Sequence, residues 1–274
     1  MQSLPNKIAN RIKRIRQIPI EKNYQKELPE NHQAEDVFLV SYPKSGNTWL
    51  RFLIANALKV HYKIEREVNF FTVHDIIPSL TFSRNLRNEG PFGRTDLPRI
   101  IKSHSGYNPY YQRVIFMVRD PRDVLISYYH YLKSFGAIPN NWTISELIRD
   151  RKFGTEAWNQ HTKGWYVSNK EGQNIQLFYY EEFIKNPQAN LDRLMDILGI
   201  KMTEEELQEA IKLSSKENMR KSEEAHRSTY VIKTQETRFV RKGEAAGGKS
   251  LNEEDKKYLE DATREVAQLI GYNF

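Results

Sequence analysis

A short apolar run, Val37-Phe38-Leu39-Val40-Ser41, stops at Tyr42-Pro43-Lys44-Ser45-Gly46-Asn47 and is followed at once by the largely apolar stretch from Thr48 to Leu58. A run of this length reads as a strand buried on both faces, and the longer stretch reads as a buried helix. Strand, tight polar loop and helix in succession point to a parallel sheet, because the helix must carry the chain back before the next strand begins. Such a junction is also an anion site. Backbone N–H groups converge at the start of the helix, and the helix dipole favours negative charge there. Gly46 admits a close backbone approach, Lys44 brings a point charge, and Ser45 and Thr48 bring hydroxyls. The pattern is not G-x-x-x-x-G-K-[ST], since Lys44 precedes Gly46 and no first glycine stands in register. A mononucleotide kinase or GTPase is thereby disfavoured.

The rest of the chain continues in the same style. Strands are expected at 99–103, 113–118 and 175–179. Pro121 suits the first turn of a helix that runs to about residue 135. Helical patterns follow at 143–149, 155–168, around Leu191, Leu194, Met195 and Leu198, then at 204–213 and 253–270. Residues 64–98, punctuated by Pro78, Gly90, Pro91, Gly93 and Pro98, read as a long active-site or lid loop. Strands alternating with helices imply an α/β fold: a single domain over residues 36–274, with a central parallel β-sheet flanked by helices. Residues 1–35 read as a basic N-terminal arm packing on that domain, with Ile8, Ile12, Ile15 and Ile18 at helical spacing among basic residues. A membrane or partner contact is the alternative for the arm.

Composition narrows the chemistry. The chain has 274 residues, with 42 Lys and Arg against 35 Asp and Glu, a net charge of +7 that points to an anionic ligand. With no cysteine there is no disulfide, no thiol nucleophile and no Cys-ligated metal. The seven histidines are scattered without metal-ligand spacing, so no metal is expected. No run of ~18 apolar residues reads as a transmembrane helix, and no secretory signal is visible. A cytoplasmic protein without stable membrane insertion is the expectation. Zinc-finger, RNP and basic-helix signatures are absent, so no nucleic acid is expected; the charge alone does not say which anion is bound.

Further constellations carry chemistry. Arg119-Asp120-Pro121-Arg122-Asp123 lies where a strand meets a helix, with Ser127 one turn on. Arginine makes a forked contact with phosphate oxygens, and Ser127 offers a hydroxyl; Asp120 and Arg122 also fit an ion pair at the helix start. His104 stands at a strand's end, where ligands of α/β sheets lie, and its ordinary pKa of ~6.5 suits proton abstraction near neutrality. Trp158, His161 and Trp165 share one helical face. Phe70, Phe71, His74, Asp75 and Tyr107 are further candidates for a substrate pocket whose aromatic walls suit a flat or apolar molecule. Asp75 paired with a cation would instead favour an amine- or guanidine-bearing ligand.

The string Tyr42-Pro43-Lys44-Ser45-Gly46-Asn47-Thr48-Trp49 resembles the 5′-phosphosulfate loop of sulfotransferases that use PAPS (3′-phosphoadenosine 5′-phosphosulfate), with Asn47 where many members have Thr. The stretch from Val114 to Tyr131 resembles the family's second PAPS motif, and Arg241-Lys242-Gly243 its C-terminal Arg-Lys-Gly. Leu97 to His104 is similar to the strand ending in Lys-Thr-His, with Ser103 for Thr. The resemblance covers roughly residues 36–245 with these motifs in order. It implies the P-loop-NTPase-like fold of the cytosolic-type enzymes and sulfuryl transfer from PAPS to a hydroxyl or amine of a small molecule, with PAP (adenosine 3′,5′-bisphosphate) as product. Residue by residue, it implies His104 as general base, Lys102 as an orienting cation and Lys44 on the bridging oxygen of the leaving group. Ser127 would hold Lys44 off that oxygen until the acceptor binds. The implied nucleotide contacts are Lys44, Ser45, Gly46, Asn47, Thr48, Trp49 on the adenine, Arg119 and Ser127 on the 3′-phosphate, Tyr180, Ser215, Met219, Arg241, Lys242 and Gly243. The implied acceptor side includes Trp158 and His161. Trp49, Met219 and the aromatic helix face fit a place in the core as well.

The stretch from Glu244 to Ser250 lacks the Trp and the apolar centre of a dimer contact common in animal members, which leaves the oligomeric state open. Compact size and the shortened C-terminal segment look like a bacterial member, one that tailors a natural product. A catalytically silent PAP- or PAPS-binding homologue is the alternative; the presence of Lys44, Lys102 and His104 speaks against it.

Overall fold

The computed structural model describes residues 24–81, 83–168, 174–225 and 248–274. Four parallel strands, β1 (Val37–Ser41), β2 (Ile100–Ser103), β3 (Arg113–Val118) and β4 (Asn174–Tyr179), lie in the order β2-β1-β3-β4. Val37 sits opposite both Ile100 and Arg113, and Arg113 opposite Asn174. From β1 the chain goes to β2 on one side, and from β3 to β4 on the other. In such sheets the crevice outside the carboxyl ends of β1 and β3 is the ligand site.

Around the sheet are α1 (Asn47–His61), α2 (Thr72–Ile76), α3 (Pro121–Ser134), α4 (Ile144–Arg149), α5 (Thr155–Ser168), α6 (Tyr180–Lys185), α7 (Pro187–Ile197), α8 (Glu204–Leu213), α9 (Lys216–Ala225) and α10 (Glu253–Leu269). Strand alternation sorts the core into two halves. Val37, Leu39, Ile115 and Met117 face the cluster built by α1, α6, α7 and α8. Phe38, Val40, Val114, Phe116 and Val118 face the one built by α3, α4, α5 and α10. The result is a single α/β domain with helices on both faces of its parallel sheet.

All four strands fall within a residue of their expected bounds. Three helices depart from expectation. Inside the stretch read as one long loop, α2 forms because Asn69 Oδ1 accepts from the N–H of Phe71 and Thr72 at 2.9 and 3.0 Å. No turn residue separates α6 from β4, so its start is silent in the sequence. Polar α9 is tied by Ser215, whose Oγ accepts from the N–H of Asn218 at 3.2 Å. Thr143 and Thr203 close capping boxes at α4 and α8.

At the amino ends of the strands, buried Arg99 forks onto buried Asp36, both contacts 2.8 Å, and so locks β2 to β1. Removing one member of such a pair costs about 3–5 kcal/mol. Arg99 also donates to the Asn31 carbonyl at 2.8 Å. Asn108 Nδ2 reaches the Tyr24 carbonyl at 2.9 Å and Tyr111 Oη the Glu27 carbonyl at 2.7 Å, so residues 24–31 strap down the loop after β2. Of the basic arm, residues 1–23 lie outside the described part. Among the described residues no helix is long and apolar enough to cross a membrane.

Candidate active site

The β1–α1 loop is shaped by two positive φ angles, Lys44 at 72° and Gly46 at 98°. Gly46 has a second reason to be glycine: a Cβ there would stand 2.4 Å from Tyr180 Cδ2. Gly46, at the N-cap position, has no side chain to cap α1, so the first N–H groups of the helix must find partners elsewhere. Ser45 and Asn47 are buried, while Thr48 is exposed. The Tyr180 ring that presses on Gly46 also carries Arg119, whose guanidinium carbon lies 4.3 Å from the ring centroid. Arg119 Nη1 donates to the Lys44 carbonyl at 3.3 Å. The two loops predicted to hold phosphates thus meet on one ring. Lys44 Nζ lies 4.7 Å from the centroid of Tyr131, one turn beyond Ser127 on α3.

His104 sits at the carboxyl end of β2. Its Nδ1 is 2.7 Å from the Ser41 carbonyl oxygen, which only accepts. Nδ1 therefore carries the proton, and Nε2 keeps a lone pair. The Ser41 anchor is itself braced by Asn47, whose Nδ2 donates to Ser41 Oγ at 3.2 Å and to the Leu39 carbonyl at 3.3 Å. Burial, with Lys102 next in weight, holds the His104 imidazole well below its ordinary pKa. Burial also pulls Lys102 down to about 7, with Arg51 and Lys44 adding repulsion. His161 is buried and lowered to about 4, its ring edge-on to Tyr42 at 5.6 Å. Among the described residues Lys102 has no ion-pair partner, an arrangement that fits a bound polyanion. No group of three or more potential metal ligands gathers among them.

The remaining sequence candidates separate. Trp49 donates to the Ser214 carbonyl at 3.0 Å and meets Tyr180 edge-on at 5.8 Å, which fastens α1 to the α8–α9 junction. Ser215 immediately precedes α9 and accepts from the Asn218 N–H. Met219 and Phe70 are both 4% exposed and pack with Phe52 and Val73. Trp158 is 1% exposed. As placed, these three side chains are packed in the core. Phe71 and His74 are exposed, and Tyr107 packs edge-on against Trp165 at 5.5 Å. Asp75 is held by Arg66 at 2.7 Å, so it is not a vacant counter-ion. Arg241, Lys242 and Gly243 lie outside the described residues.

Sequence reading missed Arg51. It is buried within α1, lowered to about 10 by that burial, and donates to the Val73 carbonyl at 2.9 Å, to the Ile77 carbonyl and to His74 Nδ1 at 3.2 Å. Its only signal is a lone arginine within the apolar run Leu50 to Ala55.

Comparison with known proteins agrees with the fold. The sulfotransferase domain family model matches residues 34–271. Bovine sulfotransferase 1E1 is 27% identical over 252 residues, 83% of each chain. Rabbit amine sulfotransferase is 26% identical over 200 residues, 68% of this chain and 63% of the relative. Among solved structures, retinol dehydratase in complex with androsterone and inactive cofactor PAP superposes with a TM-score of 0.70 at 18% identity, covering 93% of this chain and 87% of the other. Mouse sulfotransferase SULT7A1 complexed with PAP gives 0.63 at 21% identity, covering 89% and 86%. With the family match running across nearly the whole chain, this protein belongs to the sulfotransferase-domain family and is a sulfotransferase enzyme.

Proposed function

We propose that the enzyme moves the sulfuryl group of PAPS to a hydroxyl of a small-molecule acceptor and releases PAP. The observation that carries this reading is the 2.7 Å lock between His104 Nδ1 and the Ser41 carbonyl beside the phosphate-type loop. PAPS supplies a sulfuryl group on a P–O–S bridge whose cleavage leaves an anion on PAP. Its phosphosulfate end fits the uncapped start of α1 with Lys44 and Lys102, and its 3′-phosphate fits Arg119 and Ser127. His104 Nε2 takes the acceptor proton as the acceptor oxygen bonds to sulfur. Lys44, lifted from Tyr131, meets the negative charge growing on the bridging oxygen. Lys102 orients the transferring group.

Two features favour a neutral or acidic hydroxyl over an amine. Lys102 and Lys44 put positive charge beside the base, which repels an ammonium. Asp75, the carboxylate that would greet a cation, already pairs with Arg66. The amine-sulfating relative keeps N-sulfation as the second reading. The test is transfer from ³⁵S-labelled PAPS to a panel of phenols, alcohols, glycans, amines and guanidines, with PAP binding measured on the same sample. Transfer to a phenol or alcohol supports the proposal, and transfer to amines alone replaces it with N-sulfation. PAP binding without any transfer favours the silent homologue. No binding of either nucleotide overturns the reading.

A further inference from the structure

We propose that the segment Tyr272–Phe274, with Glu181 and Glu260, is a positioning clasp for the β3–α3 turn. By holding Arg119 toward the 3′-phosphate, it sets the preference of the site for a 3′-phosphorylated nucleotide. The inference rests on the assignment of Arg119 to that phosphate made above.

The turn is gripped from two sides. On one, the backbone N–H of Asp120, the residue after Arg119, donates to Glu181 Oε1 at 3.0 Å. The other oxygen of Glu181 accepts from Tyr272 Oη at 2.6 Å. The Tyr272 ring meets Tyr179 edge-on at 5.9 Å, so the hydroxyl is aimed rather than loose. On the other side is Arg122. It forks onto Asp120, with Nη2 2.6 Å from Oδ2 and Nε 3.0 Å from Oδ1, and its Nη1 reaches Glu260 Oε1 on α10 at 2.8 Å. Its guanidinium carbon lies 4.4 Å from the Phe274 ring centroid. The Phe274 carbonyl accepts from Arg264 of α10, which fixes the ring in turn.

Every donor-bearing end of Arg122 is occupied and one face is covered. That settles its role: it is an ion-paired bracket, and Arg119 is left as the arginine of this turn that faces the nucleotide loop. Arg119 itself has little room to adjust. Tyr180 lies under it, the Lys44 carbonyl accepts from it, and Asp123 Oδ2 stands 4.0 Å from Nη2. Asp123 is held by the Gly248 N–H at 3.2 Å. A small shift of the turn therefore moves the forked donor off a phosphate, whose bidentate recognition is sensitive to direction.

The experiment is calorimetric titration of PAP and of 5′-AMP, which lacks the 3′-phosphate, into the wild type and into Tyr272→Phe, Phe274→Ala and Phe274→Trp, with Tm recorded for each. The wild type is expected to prefer PAP. Tyr272→Phe should weaken PAP about tenfold, the scale of one hydrogen bond to a charged group, while AMP changes less than about twofold. Phe274→Ala should do the same, and Phe274→Trp, which keeps an aromatic face for Arg122, should restore PAP binding. Equal weakening of both nucleotides would mean general loosening and overturn the clasp, as would unchanged PAP binding. If Phe274→Ala does not fold, Tyr272→Phe, which keeps the ring packing, decides alone. A wild type that binds PAP and AMP equally would instead overturn the assignment of Arg119, a result separable from failure of the variants.

Discussion

At the β1–α1 junction the helix begins behind Gly46 with no capping side chain, and nearby Lys102 has no carboxylate beside it among the described residues. At the β3–α3 junction Asp120 caps the helix, accepting from the N–H of Arg122 at 2.9 Å, and the Arg122 charge is answered by two carboxylates. Both are strand-to-helix turns at the same end of one sheet, a few ångströms from Tyr180. On the proposed reading the difference follows from what each must do. An end whose donors are needed by a ligand cannot satisfy them internally, and it holds a standing electrostatic cost. An end that only has to present one arginine can be closed and made rigid.

The most severe way to break the open junction is to remove its base. His104→Ala should lower kcat at least ~100-fold, the usual scale of general-base catalysis, and leave PAP affinity unchanged. Steady-state kinetics with parallel calorimetry measures both, and retained turnover would take His104 out of the reaction. A paired substitution sharpens the comparison itself. Lys102→Met should abolish efficient turnover yet raise Tm, by about 2–4 °C for each kcal/mol regained from an unanswered buried ammonium. Asp120→Ala, at the closed junction, should lower stability by about 1 kcal/mol, the typical worth of a helix cap. Thermal melts of both variants read the signs, and a fall in Tm for both would erase the contrast.

The smallest effect is on pH. Lys102, lowered to about 7, is charged below that pH and neutral above it in the nucleotide-free chain. Binding of a polyanion favours the charged form, so PAP affinity should decline as pH rises through about 7, with proton uptake on binding. His104 is lowered, so it is neutral throughout this window and contributes no opposing step. Calorimetry in buffers of differing ionisation enthalpy detects the uptake, and the dependence should vanish in Lys102→Met.

How much could be read from the chain alone tracks how local the cause is. The β1 loop, the strand ending at His104 and the turn after Arg119 are contiguous, and each declares itself by residues next to one another. The Asp36–Arg99 fork joins residues 63 apart, and the Arg122–Glu260 contact residues 138 apart. Neither leaves a periodicity or spacing behind. Aromatic residues are ambiguous for a different reason: Phe70 and Trp158 look the same in a pocket wall and in a core, and only the structure shows their packing against Phe52 and the neighbours of α5. The short α2 depends on one asparagine side chain, which a punctuation of Pro and Gly around it concealed.

Tyr180 touches Gly46 with one edge and carries Arg119 on its face. On the proposed reading the ring is a spacer between two anion seats, and its placement sets how far apart the two phosphates of a bisphosphonucleoside must be. A smaller ring at position 180 would reset that span, while position 46 stays glycine whatever the ring, because its φ of 98° strains any side chain.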